Sequence, residues 1–257
     1  MIRLLRKIRN QLLSDGKYSK YILYASGEIV LVMIGILLAL QIDNWNEQRK
    51  EENAGNELAL KLYEELLTTH EYSIDVFKKF DAQIGYIDMV LTQGQKLNVD
   101  SLLSASEETL MVRVFSFTTY ILSFIEYYTP NFEVFESSLS DGSLKLVKDE
   151  ELGNALQYIY NDLRNRFNVM YDREIASNEN IEEYILENYS ELFEDRSNIK
   201  VGRWDNETTK MLLEALLNDG ALRYKLQQKN TKLKSKRAHL QHRIIPKIEK
   251  VIATHEE

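Results

Sequence analysis

Cysteine is absent from the 257 residues, which removes disulfides, thiolate nucleophiles and Cys-based zinc sites from consideration. Proline and glycine are scarce, at 2 and 10, where average usage would place about 13 and about 18 in a chain of this length. A protein of many β-turns needs more of both, so the composition points to a mostly helical fold. Basic residues are also in deficit, 32 against 40 acidic, giving a net charge of -8. That balance is the opposite of the basic excess of a general nucleic-acid binder, and no nucleic-acid partner is expected. A phosphate-cradling Gly-rich loop followed by Lys, a GxSxG elbow and an HExxH pair are all missing. Neither an enzyme nor a resident cofactor is therefore expected.

What the chain has instead is a long uncharged run. Ile29 to Ile42 reads IVLVMIGILLALQI, and only Glu28 separates it from the uncharged Tyr21 to Gly27. Fourteen helical residues reach roughly 21 Å, against a hydrocarbon core of about 30 Å. The span must borrow from Tyr21 to Glu28, so residues 21–42 are predicted as one transmembrane helix. Tyr21 and Tyr24 then fall in one interfacial belt and Trp45 in the other. A cleaved signal peptide competes for the same pattern. The charged stretch before the run is about 20 residues long and LQIDNWNEQ after it offers no small-x-small cleavage site, both of which favour an uncleaved anchor.

Arg3, Arg6, Lys7, Arg9, Lys17 and Lys20 precede the span, whereas residues 43–62 hold only Arg49, Lys50 and Lys61. The positive-inside rule places the N-terminus in the cytoplasm and residues 43–257 outside, in the periplasm behind a bacterial inner membrane. Within residues 1–20, Ile2, Leu4, Leu5, Ile8, Leu12 and Leu13 lie broadly to one side of a helix. Arg3, Arg6, Lys7 and Arg9 lie mostly on the other, as in an interfacial segment facing anionic headgroups. A basic tail with no lipid role is the plainer alternative. Inside the span, Glu28, Gly35 and Ala39 fall within about 20° of one another at 100° per residue, flanked by Leu31 and Ile42. Small residues sharing a face with a carboxylate admit a second helix closely, so self-association through Glu28, Leu31, Gly35 and Ala39 is expected. The alternative is a thinned membrane in which Glu28 snorkels to the headgroups near Lys20.

The basic N-terminal helix followed by GEIVLVMIGILLALQIDNWNEQRK, from Gly27 to Lys50, resembles the start of a family of single-span membrane proteins of Bacteroidota that carries a domain of unknown function. YTPNFEVFESSLSDGSLKLVKDEELGNALQYIY, from Tyr128 to Tyr160, is similar to that family's second recurrent block, and the matches cover roughly a third of the chain. The resemblance implies a Gram-negative cell and a single-span architecture, and brings no activity with it.

Beyond the span a helical bundle with a long membrane-proximal helix is expected. From Asn56 to about Gln93 apolar positions from Leu58 to Leu91 step mostly by three, four or seven, with no Pro between Ile42 and Asn56 to stop the helix running on from the membrane. Lys96 to Ser106 reads as a connector. Leu110 to Tyr128 is apolar enough to suggest a second span, but Arg113 and Glu126 each cost about 2.5–3.5 kcal/mol there, so a buried central helix is predicted. Thr129-Pro130 should open the next helix and Asp141-Gly142 close it. An extended piece at Leu144 to Val147 should follow, then a helix capped by Asp149 to about Tyr171 and another over Asn180 to Phe193. Arg196 to Asp205 reads as a loop, and helices from Glu207 to Leu217 and from Ala221 onward complete the chain.

Residues 223–250 hold ten Lys or Arg and one Glu, whereas residues 43–222 carry a net charge of -19. The apolar stripe Leu226, Leu233, Leu240, Ile244, Ile248 and Val251 argues that the cationic helix docks on its own acidic neighbours; a free basic face for lipid or a partner is the alternative. Four further features bear on chemistry. His239 and His242 stand three apart but sit among Lys236, Arg237 and Arg243, which repel a metal. Glu126 reads as a helix-end or surface carboxylate; a buried carboxylate of raised pKa is the alternative, with nothing at readable spacing to partner it. Eight aromatics from Phe115 to Phe135 read as core packing, with a ligand pocket as the alternative, and Asp100-Ser101-Leu102 fits a weak O-glycosylation pattern in an expected loop. The leading expectation is a membrane-anchored structural or interaction protein, a homo-oligomer with the bilayer and an unidentified membrane or periplasmic protein as partners. A ligand-sensing module coupled through its membrane helix to a separate signalling or transport partner is the alternative, because a cytoplasmic part of about 20 residues is too short for its own output domain.

Overall fold

The computed structural model describes residues 18–106, 117–193 and 206–256. Helix accounts for 91% of the described residues, with no strand among them, so the core is built by helix packing alone. Chain contacts divide the protein into residues 1–58 and residues 59–257.

In the first unit the described residues are the opening part of α1 (Tyr18–Gln93). This helix is long and apolar enough to cross a membrane, and none of its most apolar window is buried. The expected basic amphipathic segment, with Arg3, Arg6, Lys7 and Arg9, lies outside the described residues.

The second unit begins within α1, and the helix expected over Asn56 to Gln93 is present as its continuation. Gly94, at a left-handed φ of 54°, ends it, and a 3-10 turn over Gly94–Lys96 leads to α2 (Val99–Ser106). A connector was expected here. Asn98 overturns that: its Oδ1 accepts the Ser101 amide at 2.9 Å, a helix N-cap, and Leu102 is buried beneath it. The short α3 (Phe117–Leu122) is wholly buried, but the expected central helix stops there. Residues 107–116 lie outside the described residues, and residues 123–132 are not helical.

The next helix, α4 (Glu133–Asp141), starts three residues later than Thr129-Pro130 suggests. Its start is fixed from a distance, because the Glu65 carboxylate on α1 accepts the Val134 and Phe135 amides at 2.8 and 3.0 Å. Gly142, at φ 76°, ends α4 as expected. Ser143–Leu146 is a 3-10 turn rather than an extended piece. Asp149 caps α5 (Glu150–Asp162) by accepting the Leu152 amide at 3.0 Å, as the sequence suggests. This helix does not stop near Tyr171: a π turn over Leu163–Phe167 carries it into α6 (Asn168–Asn188), and a 3-10 turn follows at Ser190–Phe193.

The last elements are α7 (Asn206–Asn218), α8 (Gly220–His239), a second π turn over Leu240–Ile244, and α9 (Ile245–Glu256). Pro246 has no amide proton and its ring crowds the carbonyl four residues back. The π turn immediately before it widens the helix and accommodates both effects.

Helices α8 and α9 run antiparallel to α1 in a constant register. Tyr63 stacks on His255, His70 Nε2 lies 3.6 Å from Glu249, and Arg237 covers Phe77 while its Nε reaches Asp81 at 2.5 Å. Farther along, Asn230 and Lys234 both donate to Asp88 at 2.7 Å, and Arg223 donates to the Leu91 carbonyl at 2.7 Å. The cationic segment therefore docks on acidic partners of its own chain, with Leu226, Leu233, Leu240, Ile244, Ile248 and Val251 all buried.

Candidate functional site

Glu28, Leu31, Gly35 and Ala39 lie in unbroken helix, so they share one face of α1, and all four are exposed. Leu31 is 73% exposed, and a Cβ on Gly35 meets no atom within 4 Å. This contrasts with residues 59–257, whose helices bury most of their large apolar side chains.

Within the second unit the densest chemistry surrounds residues 120–128, much of which is backbone without helical hydrogen bonds. Buried carbonyls must find donors, and distant helices supply them. Gln83 of α1 donates to the carbonyls of Tyr120 and Phe124 at 2.7 and 3.1 Å. Asn178 of α6 donates to Ser123 at 2.6 Å. Lys229 of α8 donates to Leu122 and Phe124 at 2.8 and 3.0 Å, and Lys236 to Glu126 at 3.3 Å. Tyr72 donates to the Tyr127 carbonyl at 3.1 Å, while the Tyr128 amide donates to the Tyr171 hydroxyl.

Two lysines are thus buried completely, and each meets a different electrostatic environment. Lys236 pairs with the fully buried Glu174 carboxylate and has the rings of Phe80 and Tyr171 at 4.9 and 4.8 Å. Burial holds its pKa below the ordinary lysine value, with Glu174 opposing that shift. Among the described residues no carboxylate lies in contact with the Lys229 amine, and burial lowers its pKa to about 7. Glu126 is not the surface carboxylate expected from sequence. It is 9% exposed, its pKa is raised by burial, and Lys79 at 3.3 Å opposes that rise. Every one of these side-chain donors ends on a backbone oxygen or a carboxylate, so the cluster holds a length of chain in place.

Sequence reasoning missed Gln83, Glu174, Asn178, Lys229 and Lys236, although their spacing carries a signal. Lys229 and Lys236 alternate with Leu226, Leu233 and Leu240 at steps of three and four, so they occupy the buried stripe itself. Glu174 and Asn178 do the same between Tyr171 and Ile181. Charged or amide residues in the buried phase of a helix are the recognisable mark of such a cluster.

His239 Nε2 lies 2.5 Å from Asp162 Oδ2, next to the Phe167 ring at 5.5 Å. No group of three or more potential ligands is assembled among the described residues. Asp100 and Ser101 fall in α2 rather than in a loop, and Asp100 pairs with Lys210 at 2.9 Å. Of the aromatic block, Phe117, Tyr120, Tyr128, Phe132 and Phe135 are buried, as core packing requires, and Phe115 lies outside the described residues. Tyr127 is 45% exposed and borders an open groove of 410 Å³ with Phe132, Tyr160, Arg164, Tyr171 and Asp172.

No family model, curated protein or solved structure matches this chain.

Proposed function

We propose that this chain is a membrane-anchored structural or interaction protein, without enzymatic activity, that self-associates through its membrane helix. It holds a helical domain on the periplasmic side of a bacterial inner membrane. The observation that carries the reading is the contrast between the two units: Ile29, Leu31, Leu37 and Ile42 are 61–73% exposed, whereas the second unit buries an apolar core. An uncovered stripe of this length is stable in lipid and costly in water. Six cationic residues before the span against three in residues 43–62 orient it N-terminus inside. The face of Glu28, Leu31, Gly35 and Ala39 supplies the approach between helices.

The absence of cysteine makes single-Cys crosslinking in membranes a clean test. Gly35→Cys and Ala39→Cys should crosslink several-fold more than Ile36→Cys and Leu40→Cys, and Gly35→Ile should dissolve the oligomer. Protease added to spheroplasts should digest residues 43–257. Equal crosslinking around the helix, or an oligomer indifferent to Gly35→Ile, overturns self-association, and protection of residues 43–257 overturns the orientation.

The groove beside Tyr127 favours a second reading, a sensory module that binds a small ligand there and acts through a separate partner. A purified monomer carrying a small molecule would support it over the first.

A further inference from the structure

The last turn of α9 ends beside the first turn of α5. His255 stands there with an oxygen against each ring nitrogen: Nδ1 is 2.8 Å from the Val251 carbonyl, and Nε2 is 2.5 Å from Asp149 Oδ2. A neutral imidazole has one N–H, whereas the imidazolium has two. A carbonyl and a carboxylate are both acceptors, so the neutral ring satisfies one of them and sets a lone pair against the other. Only the protonated ring donates to both.

The groups around the ring agree with that charge. From α5, Asp149 and Glu151 face it, and from α1 the Tyr63 ring stacks on it at 4.8 Å. On α9 itself, Lys250 and Thr254 donate to Glu151 at 2.8 and 3.3 Å, which leaves Asp149 as the carboxylate bound to His255. The next contact along the same helix pair, His70 with Glu249 at 3.6 Å, is too long for a hydrogen bond.

We propose that His255 is a proton-operated latch, which when protonated ties the end of α9 to the N-terminal turn of α5 and when neutral lets that end go. The device leaves α5 intact. Asp149 uses Oδ2 for the latch and Oδ1 for its cap on Leu152, so the opening is confined to the last turns of α9. The Val251 carbonyl first, and then Asp149 and Glu151, raise the pKa of His255 above the ordinary 6.5 against the opposing effect of burial. A histidine raised on folding contributes its stability in full below 6.5 and loses it as the pH climbs through the folded value. The latch is thus closed below 6.5 and opens as the pH rises through the folded value, which lies above it. It stands independently of the self-association proposed above.

The test is a pH titration of the four histidines by NMR on the full chain in detergent micelles, with His255→Gln for assignment. His255 should titrate above 6.5, and Asp149→Asn should lower its midpoint by about one pH unit, while the α5 cap survives because Asn caps as well as Asp. Amide exchange over residues 245–256, corrected for intrinsic rates, should accelerate several-fold through that same midpoint, and should be fast at every pH in His255→Gln. A midpoint at or below 6.5, no response to Asp149→Asn, or exchange that ignores the midpoint overturns the latch.

Discussion

A chain ending at Leu222 is expected to show no cooperative thermal transition by circular dichroism. Removing residues 223–257 takes away Leu226, Leu233, Leu240, Ile244 and Ile248, each 0% exposed, and Val251 at 3%. Burying one such side chain is worth about 1.5–3 kcal/mol, so the set amounts to about 10 kcal/mol or more, comparable to the whole stability of an ordinary domain. The loss is also electrostatic. Asp81, Asp88 and Glu151 lose their partners on α8 and α9, and the fully buried Glu174 loses Lys236. A truncation that melts where the full chain does would mean that α8 and α9 form a free arm, contrary to the packing described above.

Glu174→Ala is expected to lower the melting temperature by about 10 °C. Removing one partner of a buried pair costs about 3–5 kcal/mol, because the other charge is left without compensation. In a domain of this size each kcal/mol shifts the midpoint by about 2–4 °C. The charge left behind belongs to Lys236, which is fully buried and also donates to the Glu126 carbonyl. The double variant Glu174→Leu with Lys236→Met should recover more than half of the loss, since a packed apolar pair can replace a buried ionic one. A single variant within about 2 °C of the parent would show that water reaches this pair.

The elements legible in the sequence were those written in local chemistry. Asp149 accepts a backbone amide at the helix start it marks, Gly142 ends α4 in the left-handed conformation, and every apolar position of the C-terminal stripe is buried. What was not legible depends on partners far along the chain. Glu65 sets the start of α4 from 69 residues away, and nothing around Thr129-Pro130 announces it. Leu110 to Tyr128 has a helix-like composition, but side chains from α1, α6 and α8 take up its later carbonyls and let the backbone leave the helix. Glu126 looked unpartnered because Lys79 is 47 residues away. Of the candidate face on α1, the helical phase and the exposure could be read from the sequence, and whether a second helix covers it is a property of the assembled membrane.

The non-helical stretch from Ser123 to Phe132 also bears on how fast this protein reaches its native state. Helical domains fold quickly because most of their contacts are local. Here the central segment is satisfied only when Gln83, Asn178, Lys229 and Lys236, at separations of 37 to 110 residues, have all arrived. Closing such long loops comes before any reward from these bonds. The domain should accordingly acquire its helical ellipticity early and its fixed aromatic environment late. Stopped-flow far-ultraviolet and near-ultraviolet signals should separate in time, with Tyr120, Tyr127 and Tyr128 reporting the slower event.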